Sequence, residues 1–239
     1  MLPIDKNIYQ QLSEEGTKRF SKIRKDDRIH YGKEFGQKSL LAFARYIDPK
    51  FQSPKHIKTI IDLLEYMEKG KILRAILNLP PRHGKSQICT RIFPTWFLGK
   101  HPETEVIIAS YSNKKAERFT GWIRDRIEAP AFSAVFPDVA VRDDVRARSD
   151  WQTTAGGVVI GAGLSGGLTG EGAGLLIIDD PYKNMEEATS ETMNEKIWEN
   201  YLSVAEARLA PDARVLIVHT RWTRNDLTGR LLGEDKDEE

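Results

Sequence analysis

The segment Ile76–Gln87, ILNLPPRHGKSQ, joins a short apolar run to a turn and then to a helix-forming stretch. It contains Gly84-Lys85-Ser86, the closing triplet of the phosphate-binding pattern G-x-x-x-x-G-K-[ST]. The opening glycine of that pattern is replaced by Leu79. A Pro-Pro pair can make the same turn, because proline fixes φ and excludes a helix. The order of strand, loop and helix therefore favours a phosphate-binding loop over a surface turn with an exposed lysine.

A phosphate-binding loop works through backbone N–H groups that point at the phosphates and through the positive end of the following helix. Gly84 would let the backbone approach the ligand. Lys85 would supply a positive charge, and the Ser86 hydroxyl would bind Mg²⁺. Arg82 adds a second cation within the loop.

Apolar runs with the length of buried strands recur along the chain. Near-continuous Val, Ile and Leu indicate strands that are covered on both faces, as in a parallel sheet. The runs alternate with helical stretches at Lys85–Leu98, Asn113–Ile127 and Ser190–Leu209, which predicts a doubly wound α/β domain. The five predicted strands are Arg74–Leu79, Glu105–Ser112, Gly157–Leu164, Gly174–Asp180 and Ala213–Thr220.

Two helices are predicted before the first strand. The apolar spacing of Leu40–Ile47 is typical of an amphipathic helix. A second helix is predicted over Pro54–Lys69, with Ser53 as N-cap and Gly70 as its stop. We expect residues 1–48 to form an N-terminal helical arm, residues 49–225 a phosphate-loop core, and residues 226–239 the start of a lid or linker.

A second motif, LLIIDDP at Leu175–Pro181, places two acids at the end of an apolar strand. In phosphate-loop ATPases the first such acid holds Mg²⁺ and the second orients the attacking water. We assign Asp179 to the metal and Asp180 to the water, although Asp180 is one methylene shorter than the usual Glu. The alternative is an N-cap for the next helix. The spacing from Lys85, about 95 residues, leaves room for intervening strands and favours the additional-strand layout of RecA-like motors.

The bulk composition excludes several classes of protein. The 239 residues include one cysteine, Cys89, so there is no disulfide framework and no thiolate metal cluster. No apolar run approaches a membrane span and no signal-peptide pattern is present, so we expect no membrane partner and a cytoplasmic setting. The net charge is +1, but residues 1–80 carry +6. That basic front half suits either a polyanion or a solvated helical surface.

Four segments together resemble the large subunit of tailed-phage terminases: LNLPPRHGKSQ, IIASYSNKKAERF, LSGGLTGEGAGLLIIDDPYKN and VLIVHTRWTRNDLTGRLL. The resemblance covers about residues 45–233. It implies a RecA-like ATPase core that uses ATP with Mg²⁺ and moves double-stranded DNA into a procapsid in the host cytoplasm. It also implies a ring, typically of five subunits, on the portal protein, with the small terminase subunit as a partner. The family's nuclease would lie outside this chain.

The resemblance assigns roles to matching positions. Asp179 and Asp180 match the Walker B acids. Thr220 and Arg221 belong to the coupling motif with His219 and Trp222, where Thr220 would report loss of the γ-phosphate and Trp222 alternatively packs the core. The phosphate-loop residues are Pro80, Pro81, Arg82, His83, Gly84, Lys85 and Ser86. Upstream, Gln52 or His56 would contact the adenine, although a plain helix start explains them equally well.

One departure from the family concerns the arginine that reaches into a neighbouring subunit's site. Many relatives have a basic residue in the glycine-rich loop where this chain has Glu171. The candidates therefore shift to Arg142, Arg146 or Arg148, or to Arg82 acting within its own subunit. We select Arg148 with Arg82 as catalytic candidates beside Asp180. Surface salt bridges are the alternative for each arginine.

Two other functions compete with a packaging motor. A superfamily 2 helicase shares the RecA core but needs a second RecA-like domain. A DNA-binding assembly module with a vestigial ATP site would keep these motifs without hydrolysis. A small-molecule kinase is the least favoured, because no acceptor pocket or lid signature stands out.

Overall fold

The computed structural model describes residues 32, 34–164, 172–207 and 209–233, with side chains except those of residues 204–207. The strands are β1 Arg74–Asn78, β2 Val106–Ser110, β3 Val141–Arg146, β4 Asp150–Thr153, β5 Val158–Gly163, β6 Ala173–Asp179 and β7 Leu209–His219. The α-helices are α1 Leu40–Ile47, α2 Lys55–Glu68, α3 Phe93–Lys100, α4 Asn113–Ile127, α5 Pro130–Ser133, α6 Met185–Thr189, α7 Glu191–Ala207 and α8 Leu227–Leu232. A π-helix, Gln87–Ile92, leads directly into α3.

The seven strands form one sheet in the order β1-β7-β6-β2-β5-β4-β3. The first five strands in this order are parallel, whereas β4 and β3 pair antiparallel at one edge. One strand, β7, lies between β1 and β6, which carry the glycine-lysine motif and the two acids at their ends. This topology confirms the prediction of a mostly parallel, RecA-like α/β domain with an additional strand.

All five strands expected from the apolar runs are present, but the pair β3 and β4 was not predicted. The β3 sequence, VRDDVR, contains four charged residues and its side chains are half-buried or exposed. An edge strand has one side open to water, so charged residues are tolerated there and weaken the apolar signal. This segment was considered in the sequence only as a source of arginines.

The start of α2 differs from the prediction. Pro54 occupies the N-cap position without a side-chain capping bond. The predicted cap, Ser53, instead accepts a hydrogen bond from Arg45 Nη2 at 2.8 Å. Its hydroxyl is thus used to join the segment to α1. The predicted stop is correct, because Gly70 follows the helix with φ +68°, a conformation that favours glycine.

Two apolar clusters cover the two faces of the sheet. The larger one combines α1, α2, the π-helix, α3 and α4, and contains the fully buried Phe43, Leu64 and Trp96. The smaller one packs α7 against β6 and β7 through Ile197 and Tyr201. Burying a side chain of this size contributes about 1.5–3 kcal/mol, so the helices are firmly held against the strands that position the loops.

Helix α1 is part of the larger cluster through Leu40, Phe43 and Ile47. The predicted arm over residues 1–48 otherwise falls largely on residues 1–31 and 33, which lie outside the described part of the chain. The domain boundaries therefore stay predictions. Within the described residues, the helices are too short or too polar to span a bilayer.

Candidate phosphate-binding site

The loops that follow β1, β6 and β7 meet at one edge of the sheet. Lys85 Nζ lies 2.7 Å from Asp180 Oδ1 and 2.8 Å from Thr220 Oγ1. The Thr220 hydroxyl donates in turn to the Leu79 carbonyl at 3.2 Å. These parallel strands are neighbours in the sheet, so their carboxyl ends lie side by side. The structure thereby brings together three residues that are 95 and 135 positions apart in the chain.

The phosphate loop makes its turn without the usual first glycine. Leu79 continues the pairing of β1, since its N–H donates to the His219 carbonyl at 3.3 Å. The left-handed conformations fall later, at Arg82 with φ +64° and at Gly84 with φ +79°. A Cβ on Gly84 would also lie 3.1 Å from Ile57 Cδ1. The glycine that the turn requires is therefore Gly84, and position 79 is free to be leucine.

Asp179, at the end of β6, is completely buried. Its carboxylate accepts hydrogen bonds from Ser86 Oγ at 3.1 Å and Thr90 Oγ1 at 2.5 Å. Ser86 and Thr90 are four positions apart, so they project on the same side of the helical segment that follows the loop. Burial raises the pKa of Asp179, while the charge of Lys115 and the bond from Thr90 oppose that shift.

Thr90 was missed by the sequence analysis, although its spacing from Ser86 was a usable signal. Lys115 was also missed. Its Nζ lies 3.3 Å from Asp179 Oδ1 and 3.1 Å from Asp180 Oδ2. Lys115 is in the first turn of α4, directly after β2, and β2 is the neighbour of β6, with Ser110 paired to Asp179. Knowledge of the strand order would have identified it.

Asp180 has a left-handed backbone, with φ +46°. Aspartate is one of the few residues other than glycine that adopts this conformation at low cost. Burial would raise the pKa of Asp180, but the hydrogen bond from Lys85 and the charge of Lys115 outweigh it and hold the pKa below its usual value. The Asp180 carboxylate is therefore ionised at neutral pH, and it faces two ammonium groups.

These groups open into a cavity of about 400 Å³, within the size range of small-ligand sites. Its wall combines four cationic side chains with three aromatic rings and one half-buried carboxylate, a composition that suits an anion of several charges. The cavity is lined by Pro81, Arg82, Gly84, Lys85, Ser86, Gln87, Tyr111, Lys115, Asp180, Tyr182, Lys183, Thr220 and Trp222.

Four of the predicted nucleotide-binding residues do not line the cavity: Pro80, His83, Gln52 and His56. His56 Nε2 pairs with the His83 carbonyl at 3.2 Å, and His83 Nδ1 lies 2.9 Å from the Pro81 carbonyl. These contacts brace the outer side of the phosphate loop. Gln52 is exposed just before α2. Adenine contacts by Gln52 or His56 remain a prediction.

Side chains of consecutive residues at the end of β7 and directly after it contact the cavity and α8 in turn. Thr220 faces Lys85, whereas the neighbouring His219 lies 2.5 Å from Thr228 Oγ1 in α8. Arg221 Nε lies 3.1 Å from Asp226 Oδ1, and Asp226 is the N-cap of α8. Arg221 is thus directed at α8 and does not line the cavity. The site is therefore connected through consecutive residues to the helix that follows it.

Trp222 shows the core packing that the sequence offered as an alternative, and its role in the coupling motif stays a prediction. It lines the cavity, and it packs against the smaller apolar cluster. Its backbone N–H donates to Asp226 Oδ2 at 2.9 Å, which fixes the turn between β7 and α8.

The candidate arginines of the β3–β4 hairpin lie outside the cavity wall. Arg142 pairs with Asp144 at 2.5 Å, and Arg146 pairs with Glu128 at 2.5 Å. The side chain of Arg148 is 64% exposed, and its contact with Asp125 is 3.9 Å long. Arg148 is thus the most weakly held of the three, and its role towards another subunit stays a prediction. Glu171, in the glycine-rich loop, lies outside the described residues.

The oxygen atoms at this site are compatible with Mg²⁺ binding. Among the described residues there is no group of three or more His, Cys, Asp or Glu side chains that would hold a metal by itself. Magnesium is commonly bound by one or two protein oxygens together with substrate phosphates and water. The Ser86 hydroxyl lines the cavity and lies 3.1 Å from the carboxylate of Asp179, which is buried and does not itself line the cavity. These two oxygen donors fit that mode.

A phosphate loop after β1, paired acids after β6 and a separating β7 define a phosphate-loop α/β protein of the RecA-like class. Residues 76–230 match the family described as terminase large subunit, T4likevirus-type, N-terminal, and the chain belongs to this family. The family resemblance noted in the sequence is thereby confirmed.

The proteins similar to this chain include two phage large terminases. The terminase large subunit of Enterobacteria phage T3 is 29% identical over 189 residues, which cover 74% of this chain and 31% of the T3 protein. The matched part thus spans about a third of that relative's length. The solved ATPase domain of the Thermus phage P74-26 large terminase is 17% identical, with a TM-score of 0.45 and coverage of 71% of this chain and 70% of that domain.

Proposed function

We propose that this chain is the ATP-hydrolysing motor domain of a terminase large subunit, and that hydrolysis drives double-stranded DNA into a procapsid. The observation that supports it best is the convergence of Lys85, Asp180 and Thr220 from three strand ends beside the Ser86–Asp179 pair. Membership of the terminase family agrees with this proposal.

The cavity wall would stabilise a triphosphate mainly by charge. Lys85 and Arg82 come from the phosphate loop, and Lys115 and Lys183 come from other elements around the same space. Ser86 and Asp179 would hold Mg²⁺, which when bound supplies positive charge to the phosphate oxygens. Because a phosphoryl transfer demands little covalent chemistry from the protein, these residues act by positioning and electrostatics.

Asp180 would orient and deprotonate the water that attacks the γ-phosphorus. Its carboxylate now accepts from Lys85, which is the group that a triphosphate would recruit. Binding of the nucleotide would therefore draw Lys85 towards the phosphates and leave one Asp180 oxygen available to water. Binding of the nucleotide would thereby free the Asp180 carboxylate, the proposed base, from its bond with Lys85.

Thr220 would report the state of the phosphates to α8. It shares the Lys85 ammonium with Asp180, and its neighbours His219 and Arg221 contact α8 through Thr228 and Asp226. A change in the Lys85 contacts therefore acts directly on the backbone that starts the α8 connection. This is the proposed route from hydrolysis to movement.

The wider assembly follows from the family and is also a proposal. The motor would form a ring, of five subunits, on the portal protein in the host cytoplasm, with the small terminase subunit as a further partner. DNA contacts would be chiefly to phosphates, so they would be salt-sensitive and weakly sequence-specific. The nuclease of the full-length protein would lie outside this chain.

Phosphate release from ATP with Mg²⁺ and duplex DNA tests the enzymatic proposal. We expect the Lys85→Ala variant to lose hydrolysis by about 100-fold or more, since the charge that faces the phosphates is removed. Lys50→Ala, at an exposed lysine just before α2, is the matched control and should keep wild-type turnover. Equal phosphate release by the wild type and Lys85→Ala would favour the assembly module with a vestigial site. Separation of DNA strands would favour the helicase.

A further inference from the structure

Lys115 contacts both acids of the site although it belongs to neither motif that carries the proposed chemistry. Its ammonium group lies 3.3 Å from Asp179 Oδ1 and 3.1 Å from Asp180 Oδ2. It also sits over the Tyr111 ring at 4.9 Å and the Phe119 ring at 5.8 Å. The side chain is about one-fifth exposed. These contacts restrict the Lys115 side chain to far fewer conformations than a lysine at the surface adopts.

The backbone of Lys115 is equally well fixed. Ser112 is the N-cap of α4, and its hydroxyl accepts from the Lys115 N–H at 3.3 Å. The preceding strand, β2, is hydrogen-bonded to β6 up to the pair Ser110 and Asp179. Ser110 Oγ further donates to the Asp179 carbonyl at 2.6 Å. The pairing of β2 with β6 therefore fixes the position of the α4 N-terminus, which carries Lys115, relative to the two acids.

Lys85 and Lys115 differ in what a bound nucleotide would do to them. Two of the three Lys85 donors are used by Asp180 and Thr220. Phosphate oxygens would compete for those donors, so the Lys85–Asp180 pair would be weakened when the site fills. Among the described residues, Lys115 is the cation that would stay within ion-pair distance of both carboxylates.

We propose that Lys115 is a positioning residue for the hydrolytic step: it holds the Asp179 and Asp180 carboxylates in place while Lys85 is engaged by the phosphates. This inference rests on the proposed ATPase function. Two carboxylates on consecutive residues repel each other and the triphosphate, and a cation between them offsets that repulsion. Asp180 also has an unusual backbone conformation, so a partner on its side chain helps to hold the direction of its carboxylate.

Single-turnover hydrolysis by the 239-residue chain tests the inference together with binding of a non-hydrolysable ATP analogue. We expect Lys115→Gln to lower the hydrolysis rate about 10- to 100-fold, the effect of a misplaced group. Its Kd for the analogue should stay within about 3-fold of wild type, because the lysine acts on the acids. Lys115→Arg should recover part of the rate, since it keeps the charge. Lys114→Gln, at an exposed lysine on the same turn, is the control and should match wild type.

A double-mutant cycle with Asp180→Asn separates positioning from a general structural role. If Lys115 acts through Asp180, the Lys115→Gln substitution should cost less than about 3-fold in the Asp180→Asn background. An undiminished cost there would overturn the proposal, as would a Lys115→Gln rate within 2-fold of wild type. A loss of analogue affinity equal to the loss of rate would also overturn it and make Lys115 a phosphate ligand.

The failure of the proposed function has a different signature. A wild-type chain that neither binds the analogue nor hydrolyses ATP would remove the ATPase proposal and this inference with it. Wild-type hydrolysis that depends on Lys85 but not on Lys115 would remove this inference alone. Thermal unfolding of each variant checks its fold, and Lys115→Met serves as a second variant if Lys115→Gln does not fold.

Discussion

Lys85 and Asp180 form an ion pair, with Nζ 2.7 Å from Oδ1, although the proposed reaction requires each of them for a different partner. The lysine would face the phosphates and the aspartate would face water. Both side chains are largely shielded from solvent, with 7% and 26% exposure. The pair therefore holds together two groups that the proposed reaction uses separately, and a bound triphosphate would have to part them.

Asp180→Asn should have opposite effects on nucleotide binding and on hydrolysis. The variant frees Lys85 from an ionic partner, so we expect a non-hydrolysable ATP analogue to bind about 5-fold more tightly, the effect of about 1 kcal/mol. Hydrolysis should fall about 100-fold or more because the base is lost. Calorimetric titration and phosphate release measure the two effects. The control is Asp138→Asn, at an exposed position. Weaker binding of the analogue by Asp180→Asn would contradict the proposal that Asp180 and the phosphates compete for Lys85.

Asp180→Glu should impair the enzyme even though it keeps the carboxylate. The left-handed backbone at position 180, φ +46°, is tolerated by Asp and costs other residues about 1–2 kcal/mol. We expect the free energy of unfolding to fall by about 1 kcal/mol and phosphate release to slow about 10-fold. Urea titration and turnover measure both effects. Wild-type turnover by this variant would show that the backbone conformation does not constrain the base.

Arg148→Ala should abolish hydrolysis only in the assembled motor. Arg148 is largely exposed and weakly paired, whereas Arg142 is held by Asp144. We expect motors assembled on capsids to lose turnover about 1000-fold, the range for a supplied arginine, with unchanged binding of the ATP analogue. Arg142→Ala, at the candidate arginine that Asp144 holds, is the matched control and should keep wild-type turnover. Unchanged turnover by assembled Arg148→Ala motors would remove this residue from the candidates.

The fold was predictable where the sequence repeats one physical pattern. Parallel strands covered on both faces need nearly continuous apolar runs, and all five such runs became strands. The pair β3 and β4 escaped because edge strands accept charged residues such as those of Val141–Arg146. The N-cap of α2 was predicted wrongly because the Ser53 hydroxyl had a competing partner, Arg45, that only the packing of α1 supplies.

The site was predictable only as far as its motifs extend. Lys85, Ser86, Asp179 and Asp180 stand in recognisable local patterns, and the structure brings them together. The place of Lys115 depends on the strand order, in which β2 lies beside β6. The order of the strands along the chain does not show which strands are neighbours in the sheet. The contacts of Lys115 with the two acids could therefore not be predicted from the sequence.

Stability should depend on pH through His219. Burial holds the pKa of His219 below its ordinary value of 6.5, although the charge of Asp226 opposes the shift. The unfolded chain therefore binds the proton more readily than the folded one. The stability that neutral His219 contributes is present above pH 6.5 and is lost as the pH falls towards the folded-state pKa.

The measurement is the free energy of unfolding between pH 7.5 and pH 5, for wild type and His219→Gln. We expect the advantage of wild type over the variant to shrink on acidification, because glutamine does not titrate. A difference that stays constant across this range would show that His219 does not take up a proton on unfolding.

The decisive experiment on the proposed phosphate site is a crystal structure of this chain with Mg²⁺ and a non-hydrolysable ATP analogue. We expect the terminal phosphate to lie about 3 Å from Lys85 Nζ, Ser86 Oγ and the Asp179 carboxylate to face the same ion, and the Lys85–Asp180 pair to be broken. Phosphates bound away from the β1 loop, or a Lys85–Asp180 pair that persists beside a bound triphosphate, would contradict it.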